Sequence, residues 1–168
     1  MKHLARTAAL ATLLTLGMFA TASAQTEYTT IHMEIDVDRP ADEVWARVGD
    51  YCDIGEWLGI DCEITSGDGG IGTVRVLAGG RIVEPMVAKT DLSYGYTQPA
   101  VEGEFYDLYH GFLEARPVDE QSARLIYTLM LDQSNLADEQ ARQTDIAQRR
   151  STFERALANM KALAEEEQ

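Results

Sequence analysis

The stretch TVRVLAGGRIVE, residues 73–84, holds the clearest signal for the fold of this chain. Apolar and polar side chains alternate in it on either side of two glycines. Such alternation is typical of strands with one buried face, and a Gly-Gly pair between two strands is typical of a two-residue hairpin turn. The predicted register has three facing pairs: Leu77 with Ile82, Val76 with Val83, and Arg75 with Glu84. The hairpin therefore places a cation beside a carboxylate on one face of a sheet.

Further strands and helices are predicted on both sides of this hairpin. The strands cover residues 29–38, 62–65, 73–78, 81–90, 93–97, 105–116 and 124–133. Two short helices lie between the first two strands, one after Pro40 that ends near Asp50 and one over residues 53–58. The last segment, from about residue 137 to 166, has no Gly or Pro and carries one apolar stripe: Ile146, Phe153, Leu157, Met160 and Ala164. This order predicts an α+β fold with a seven-stranded antiparallel sheet and a long C-terminal helix.

The N-terminus has the three parts of a secretory signal peptide. Lys2 and Arg6 precede an uncharged run over residues 7–20, and Ala22-Ser23-Ala24 offers the small side chains of a cleavage site. The apolar run is shorter than the roughly 20 residues that a transmembrane helix needs. We therefore expect residues 1–24 to be a signal peptide cleaved after Ala24. Residues 25–168 are then a single domain, without a membrane span, in the periplasm of a bacterium or outside the cell.

The charge and the histidine content exclude several classes of function. A net charge of −14 repels the phosphates of nucleic acids and anionic lipid headgroups, so neither is an expected partner. Outside the predicted leader the chain has only His32 and His110, and their spacing is unlike that of metal ligands. We therefore expect no metal and no cofactor.

The two cysteines, Cys52 and Cys62, allow two interpretations. In an exported protein a disulfide between them is plausible, and it would tie the first helical segment to the strand that follows. The alternative is a pair of buried thiols that pack as small apolar side chains.

Four segments give the chain a resemblance to a known superfamily. They are RPADEVW at 39–45, GIGTVR at 70–75, IVE at 82–84 and FERALANM at 153–160. In this order and spacing they resemble the START-like superfamily, which includes the birch-pollen-allergen-like proteins, and most closely its polyketide cyclase/dehydrase-like branch. The resemblance spans residues 29–164. It implies a helix-grip fold, in which a curved sheet wraps around the C-terminal helix and encloses a cavity for an apolar ligand.

The resemblance also indicates which side chains face that cavity. In similar proteins the glutamate that matches Glu84 points inward, which would bring Arg75 inside with it; the alternative is a pair on a solvated sheet face. Strand alternation and the helix stripe extend the candidate ligand-binding set to the following residues: Arg75, Glu84, Tyr94, Tyr109, Gly111, Tyr127, Phe153 and Leu157. Gly111 is expected to leave room for ligand, although the tyrosines are equally compatible with an ordinary core. With Tyr109 inside, the outer face carries Tyr106, Leu108 and Phe112, which predicts a homodimer or a partner contact.

Three functions fit these patterns. The favoured hypothesis is an exported carrier for a hydrophobic small molecule, such as a lipid or a polyketide. The second is a polyketide cyclase or dehydratase that uses Arg75, Glu84 and Tyr109 as charge stabiliser, base and acid. The third is an envelope protein-interaction module whose cavity is filled by its own side chains. No nucleophile–base pair is visible in the sequence, and we therefore assign no catalytic residue.

Overall fold

The computed structural model describes residues 28–99 and 108–166. Within these ranges the elements are β1 (Tyr28–Val37), α1 (Ala41–Val48), α2 (Ile54–Leu58), β2 (Cys62–Ser66), β3 (Val74–Leu77), β4 (Ile82–Thr90), β5 (Ser93–Thr97), β6 (Tyr109–Pro117), β7 (Ala123–Asp132) and α3 (Glu139–Glu165). All the strands form one antiparallel sheet in the order β1-β7-β6-β5-β4-β3-β2. The sheet curves around α3, which confirms the predicted helix-grip class. The predicted signal peptide, and residues 105–107 of the sixth predicted strand, lie outside the described residues.

The predicted hairpin register is confirmed, but its turn is longer than expected. Arg75 pairs with Glu84, and the ladder ends at Leu77 and Ile82. Residues 78–81 form the turn, because Ala78 and the two glycines that follow it all adopt positive φ angles, a left-handed conformation that a strand does not use. The register survives because the extra turn residues are added equally on both sides of the Gly-Gly pair.

The long helix α3 is anchored mainly by its C-terminal half. The Asp138 side chain caps its start by accepting a hydrogen bond from the Ala141 N–H at 2.8 Å. Its fully buried residues are all in one short stretch: Phe153, Ala156, Leu157 and Met160. They face β1 and β7 and complete the core. No residue of α3 from 139 to 150 is fully buried, so this half of the helix packs less tightly on the sheet.

A disulfide joins Cys52 to Cys62 and confirms the first of the two interpretations of the cysteines. Cys52 lies in the turn between α1 and α2, and Cys62 begins β2. The bridge therefore ties the short helices to the edge of the sheet. As a result, the residues next to Cys52 are held against β3 and β4.

Candidate functional site

Arg75 and Glu84 form a buried ion pair on the inner face of the sheet. Their side chains are 0% and 3% exposed, so the pair is not on a solvated face. The Arg75 Nε donates a hydrogen bond to the Glu84 Oε2 at 2.7 Å. Burying two charges is costly unless they are paired and hydrogen-bonded, so the neighbours of this pair decide whether it can persist.

Aromatic rings surround the Arg75 guanidinium. Its central carbon lies 4.2 Å from the ring centre of Tyr51, 4.8 Å from that of Tyr96 and 5.6 Å from that of Tyr94. These distances are within the range of cation–π attraction, which is strongest for desolvated groups. The Arg75 Nη1 also donates to the Tyr51 carbonyl oxygen at 2.6 Å. Tyr51 therefore contacts the cation through both its backbone and its ring.

The Glu84 carboxylate has partners on both of its oxygens. While Oε2 accepts from Arg75, Oε1 accepts from the Gln98 Nε2 at 2.7 Å. The Tyr51 hydroxyl donates to the Glu84 backbone carbonyl at 2.9 Å. The sequence patterns did not identify Tyr51 and Gln98 as site residues. Both lie outside the alternating strand patterns, and the only hint was that Tyr51 is next to a cysteine.

Burial and the charges fix the protonation states in this cluster. Burial by itself lowers the pKa of Arg75, but Tyr94 and the Glu84 carboxylate outweigh it and raise that pKa, so the guanidinium stays charged. Burial raises the pKa of Tyr94, although the nearby Arg75 opposes the change. Burial also raises the pKa of Tyr96 and Tyr127 well above 10.0. The tyrosine hydroxyls therefore keep their protons at neutral pH.

The space beside Gly111 is filled by the ring of Tyr96, which corrects the expectation that it is open to ligand. The two residues face each other across β5 and β6, and a Cβ on Gly111 would overlap that ring. The Tyr96 hydroxyl lies 2.7 Å from the Tyr127 hydroxyl in a buried hydrogen bond. The glycine thus provides room for an aromatic side chain of the protein itself.

The remaining candidates form an aromatic layer between this cluster and α3. The Phe153 ring lies 4.5 Å from the Tyr127 ring, and Leu157 is buried one turn further along α3. The Tyr109 ring is 6.4 Å from that of Tyr96, and the Arg149 guanidinium lies over it at 5.3 Å. Tyr109 therefore belongs to the inner face but is not among the rings around Arg75.

A small cleft opens beside this layer on α3. It has a volume of about 220 Å³ and is lined by Asp145, Gln148, Arg149, Thr152 and Phe153. This is below the roughly 300–1,000 Å³ of typical ligand pockets. Two larger surface clefts, at Arg39 and Glu43, are lined mainly by charged and polar side chains. Of these three clefts, only the one on α3 is lined by a residue of the aromatic layer, Phe153.

Three buried donor groups in the interior, on the sheet and on α2, lack a hydrogen-bond partner among the described residues. They are the Tyr94 hydroxyl, the Trp57 Nε1 and the Arg75 Nη2. The Arg75 Nη2 lies 2.6 Å from the Glu84 Oε2 but not in a direction that makes a hydrogen bond. Native interiors rarely leave such groups unpaired, so each needs an explanation.

Some of the apolar side chains that were predicted on the outer face of the sheet are found there. Phe112 is 38% exposed, and Leu108 is half-buried. Part of the Phe112 ring covers Gly95, where a Cβ would lie 2.6 Å from it. Tyr106 lies outside the described residues. The homodimer stays a prediction.

Within residues 28–99 and 108–166, no cluster of His, Cys, Asp or Glu side chains could hold a metal ion. The helices in the same part of the chain are too short or too polar to cross a bilayer.

The architecture and the buried polar cluster define a START-like helix-grip domain, as the sequence indicated. A family model described as "Polyketide cyclase / dehydrase and lipid transport" matches residues 28–165. The chain belongs to this family. No curated protein matches it.

Solved structures agree on the fold. A protein of Nitrosospira multiformis superposes with a TM-score of 0.64 at 22% identity, over 80% of this chain and 94% of that one. The Zhui aromatase/cyclase from a Streptomyces species gives 0.64 at 18% identity, over 83% and 94%. Norcoclaurine synthase from Thalictrum flavum, in complex with dopamine and hydroxybenzaldehyde, gives 0.61 at 16%, over 94% and 99%. At these identities the similarity concerns the fold alone.

Proposed function

We propose that this protein binds an apolar small molecule between the sheet and α3, and that the buried Arg75–Glu84 pair anchors the ligand's polar end. The single observation that carries this proposal is a charged guanidinium held inside a tyrosine-lined interior. Apolar walls with a few fixed polar groups are the usual composition of small-molecule sites. Tyrosine suits such a wall because it offers a flat ring and a hydroxyl.

The energetics of the pair support a role beyond stability. Removing two charges from water costs several kcal/mol per ion, and apolar residues of similar volume often stabilise a protein as well or better. A buried pair that also has a ring cage and two further hydrogen-bond partners is therefore an expensive way to fill a core. Orienting a ligand is a use that repays that cost.

The cleft on α3 supplies the route by which the ligand enters. Phe153 lines it and contacts Tyr127, which in turn contacts Tyr96 beside the guanidinium. Because the cleft is small, the bound ligand replaces part of the aromatic layer and does not simply fill a void. The side chains that move are those of Phe153, Tyr96 and Tyr109.

We favour binding over catalysis because of the state of Glu84. Both carboxylate oxygens already accept a hydrogen bond, one from Arg75 and one from Gln98, so a substrate proton would have to compete with these two donors. Tyr109, the acid of the cyclase or dehydratase hypothesis, is not among the rings around Arg75. That enzyme hypothesis therefore ranks second.

One observation favours the interaction-module hypothesis instead. The ring of Tyr96 fills the space beside Gly111, so this part of the interior is closed by the protein's own side chains. A module that uses only its surface would need no further opening. The two hypotheses differ in whether the interior accepts a small molecule.

The family description supports a ligand class, and the N-terminal sequence supports a location. A lipid or a polyketide suits the family description, and residues 1–24 have the pattern of a cleaved leader. We place the protein in the periplasm or outside the cell. N-terminal sequencing that begins at Gln25 supports this location, whereas an intact Met1 on the cellular protein contradicts it.

The test is native mass spectrometry of the protein purified after expression of the full chain in a bacterial host. The expected result is a mass above that of the polypeptide, with an apolar compound released on denaturation. Glu84→Gln is expected to lose that compound, whereas Glu63→Gln, an exposed substitution on β2, keeps it. A ligand-free mass that does not change with a panel of lipids and aromatic polyketides contradicts the proposal and favours the interaction module.

A further inference from the structure

Each buried group beside the ion pair that lacks any hydrogen-bond partner among the described residues can donate a hydrogen bond. The acceptor oxygens around the ion pair are occupied: Glu84 Oε1 by Gln98, Glu84 Oε2 by Arg75, the Glu84 carbonyl by Tyr51, and the Tyr51 carbonyl by Arg75. The two groups without a partner, the Arg75 Nη2 and the Tyr94 hydroxyl, are both able to donate. This imbalance restricts the polar group that can bind there.

Three donor groups near the guanidinium have no acceptor among the described residues for at least one hydrogen. Two are the Arg75 Nη2 and the Tyr94 hydroxyl. The third belongs to the Tyr96–Tyr127 pair: one hydroxyl donates to the other, and the hydrogen of the accepting hydroxyl has no further partner of its own. Tyr94 is 2% exposed, so bulk water does not satisfy it. A group that satisfies these donors must bring acceptor oxygens and needs no donor.

We infer that the polar end of the ligand is an acceptor oxygen, that of a ketone or a carboxylate, and that it binds between Arg75 and the Tyr94 hydroxyl. The inference rests on the proposed function, because it names the ligand class of the same interior. An ammonium group is excluded, since it would bring three more donors next to a guanidinium. A plain hydrocarbon leaves the buried donors unpaired, as they are in the free protein.

Removal of the Tyr94 hydroxyl distinguishes a role in ligand binding from a role in stability. Its hydrogen has no acceptor among the described residues of the free protein, because the neighbouring Arg75 can only donate, so Tyr94→Phe removes a buried unpaired donor and leaves the ring in place. The variant is therefore expected to be at least as stable as the parent protein. The substitution is expected to weaken ligand binding, because the acceptor oxygen of the ligand loses a hydrogen-bond partner. Arg75 is less suitable for the test, since its removal strands the Glu84 carboxylate.

The experiment measures four naphthalene probes of matched shape by equilibrium dialysis against the purified protein: naphthyl methyl ketone, naphthoate, ethylnaphthalene and naphthylmethylammonium. The ketone, the naphthoate, or both are expected to bind about three- to tenfold more tightly than ethylnaphthalene, the effect of one or two hydrogen bonds. Which of them binds better shows whether the acceptor is neutral or anionic. Naphthylmethylammonium is expected to bind no better than the hydrocarbon.

Two tyrosine variants and the relative affinities of the four probes test whether the acceptor site exists. Tyr94→Phe is expected to abolish the advantage of the acceptor probes and to leave the ethylnaphthalene affinity unchanged, whereas Tyr28→Phe, on the exposed start of β1, keeps that advantage. Equal affinity for all four probes overturns the acceptor site but not the proposed function, and means that water satisfies the donors. If the folded protein binds none of them, the proposed function fails and the acceptor site with it.

Discussion

The ring of Tyr96 lies over Gly111 on the inner face of the sheet, and one position further along the same strand pair the ring of Phe112 lies over Gly95 on the outer face. Each glycine accepts the aromatic residue that faces it from the neighbouring strand. Because these contacts are so close, a methyl group at either glycine has no space. The two pairs fix β5 against β6 from both sides.

Gly111→Ala is predicted to destabilise the protein by about 1–3 kcal/mol, the usual cost of overpacking a core. The added Cβ forces the Tyr96 ring away and breaks its hydrogen bond to Tyr127. Urea denaturation followed by circular dichroism measures the change. Gly70→Ala is the matched control, because the nearest atom to its added Cβ is the Asp68 Oδ1 at 3.4 Å. An unchanged unfolding midpoint for Gly111→Ala contradicts the packing described for Tyr96.

Breaking the buried ion pair is predicted to cost more than replacing it. Arg75→Met or Glu84→Leu alone leaves one buried charge without its partner, which typically costs about 3–5 kcal/mol. The double variant buries no charge and is expected to recover most of that loss. A double-mutant cycle from urea denaturation gives the coupling between the two residues. Losses that simply add in the double variant would show that the two charges do not depend on each other.

The disulfide is predicted to contribute about 2–3 kcal/mol to the free energy of unfolding, since it closes a short loop in the unfolded chain. Cys52→Ser with Cys62→Ser tests this by guanidinium denaturation. Reduction of the parent protein is the control and is expected to lower the midpoint by a similar amount. Because Tyr51 precedes Cys52, the variant is also expected to loosen the ring cage around Arg75. No change in midpoint for either sample refutes the prediction.

Alkaline pH is predicted to unfold the protein cooperatively. The pKa values of Tyr51, Tyr94, Tyr96 and Tyr127 are raised above 10.0 in the folded state, mainly by burial. At high pH the folded state therefore binds more protons than the unfolded state. The stability that these groups contribute is complete below pH 10.0 and decreases as the pH rises above it.

The measurement is tyrosinate absorbance and circular dichroism along the same alkaline titration. The four buried tyrosines are expected to ionise only together with the loss of secondary structure, and the urea-unfolded chain provides the reference curve. Ionisation of all tyrosines before any unfolding would contradict their burial.

The sequence was sufficient for the parts of the fold that local chemistry determines. The hairpin register followed from Gly79 and Gly80, and the inward direction of Arg75 and Glu84 followed from family resemblance and was confirmed. The disulfide was one of two alternatives, since spacing alone does not distinguish a bridge from two packed thiols.

The rest of the site depends on contacts between distant segments. Tyr51 and Gln98 reach the ion pair from outside the strands that carry it, and no periodic pattern marks them. The occupant of the space beside Gly111 depends on the register of β5 against β6. The chain between those strands contains no turn motif that specifies this register, so the sequence did not indicate that Tyr96 faces the glycine.

Because α3 is buried unevenly, its backbone amide hydrogens are expected to exchange with solvent at different rates along the helix. Its anchoring residues lie between Phe153 and Met160, while the cleft is formed mostly by the roughly two turns before them. Local opening costs least where few apolar contacts are lost. The N-terminal half of α3 is therefore expected to exchange its amide hydrogens sooner than the C-terminal half. We expect the end of the helix beside the cleft to open from the sheet more readily than the buried end, which holds the domain together.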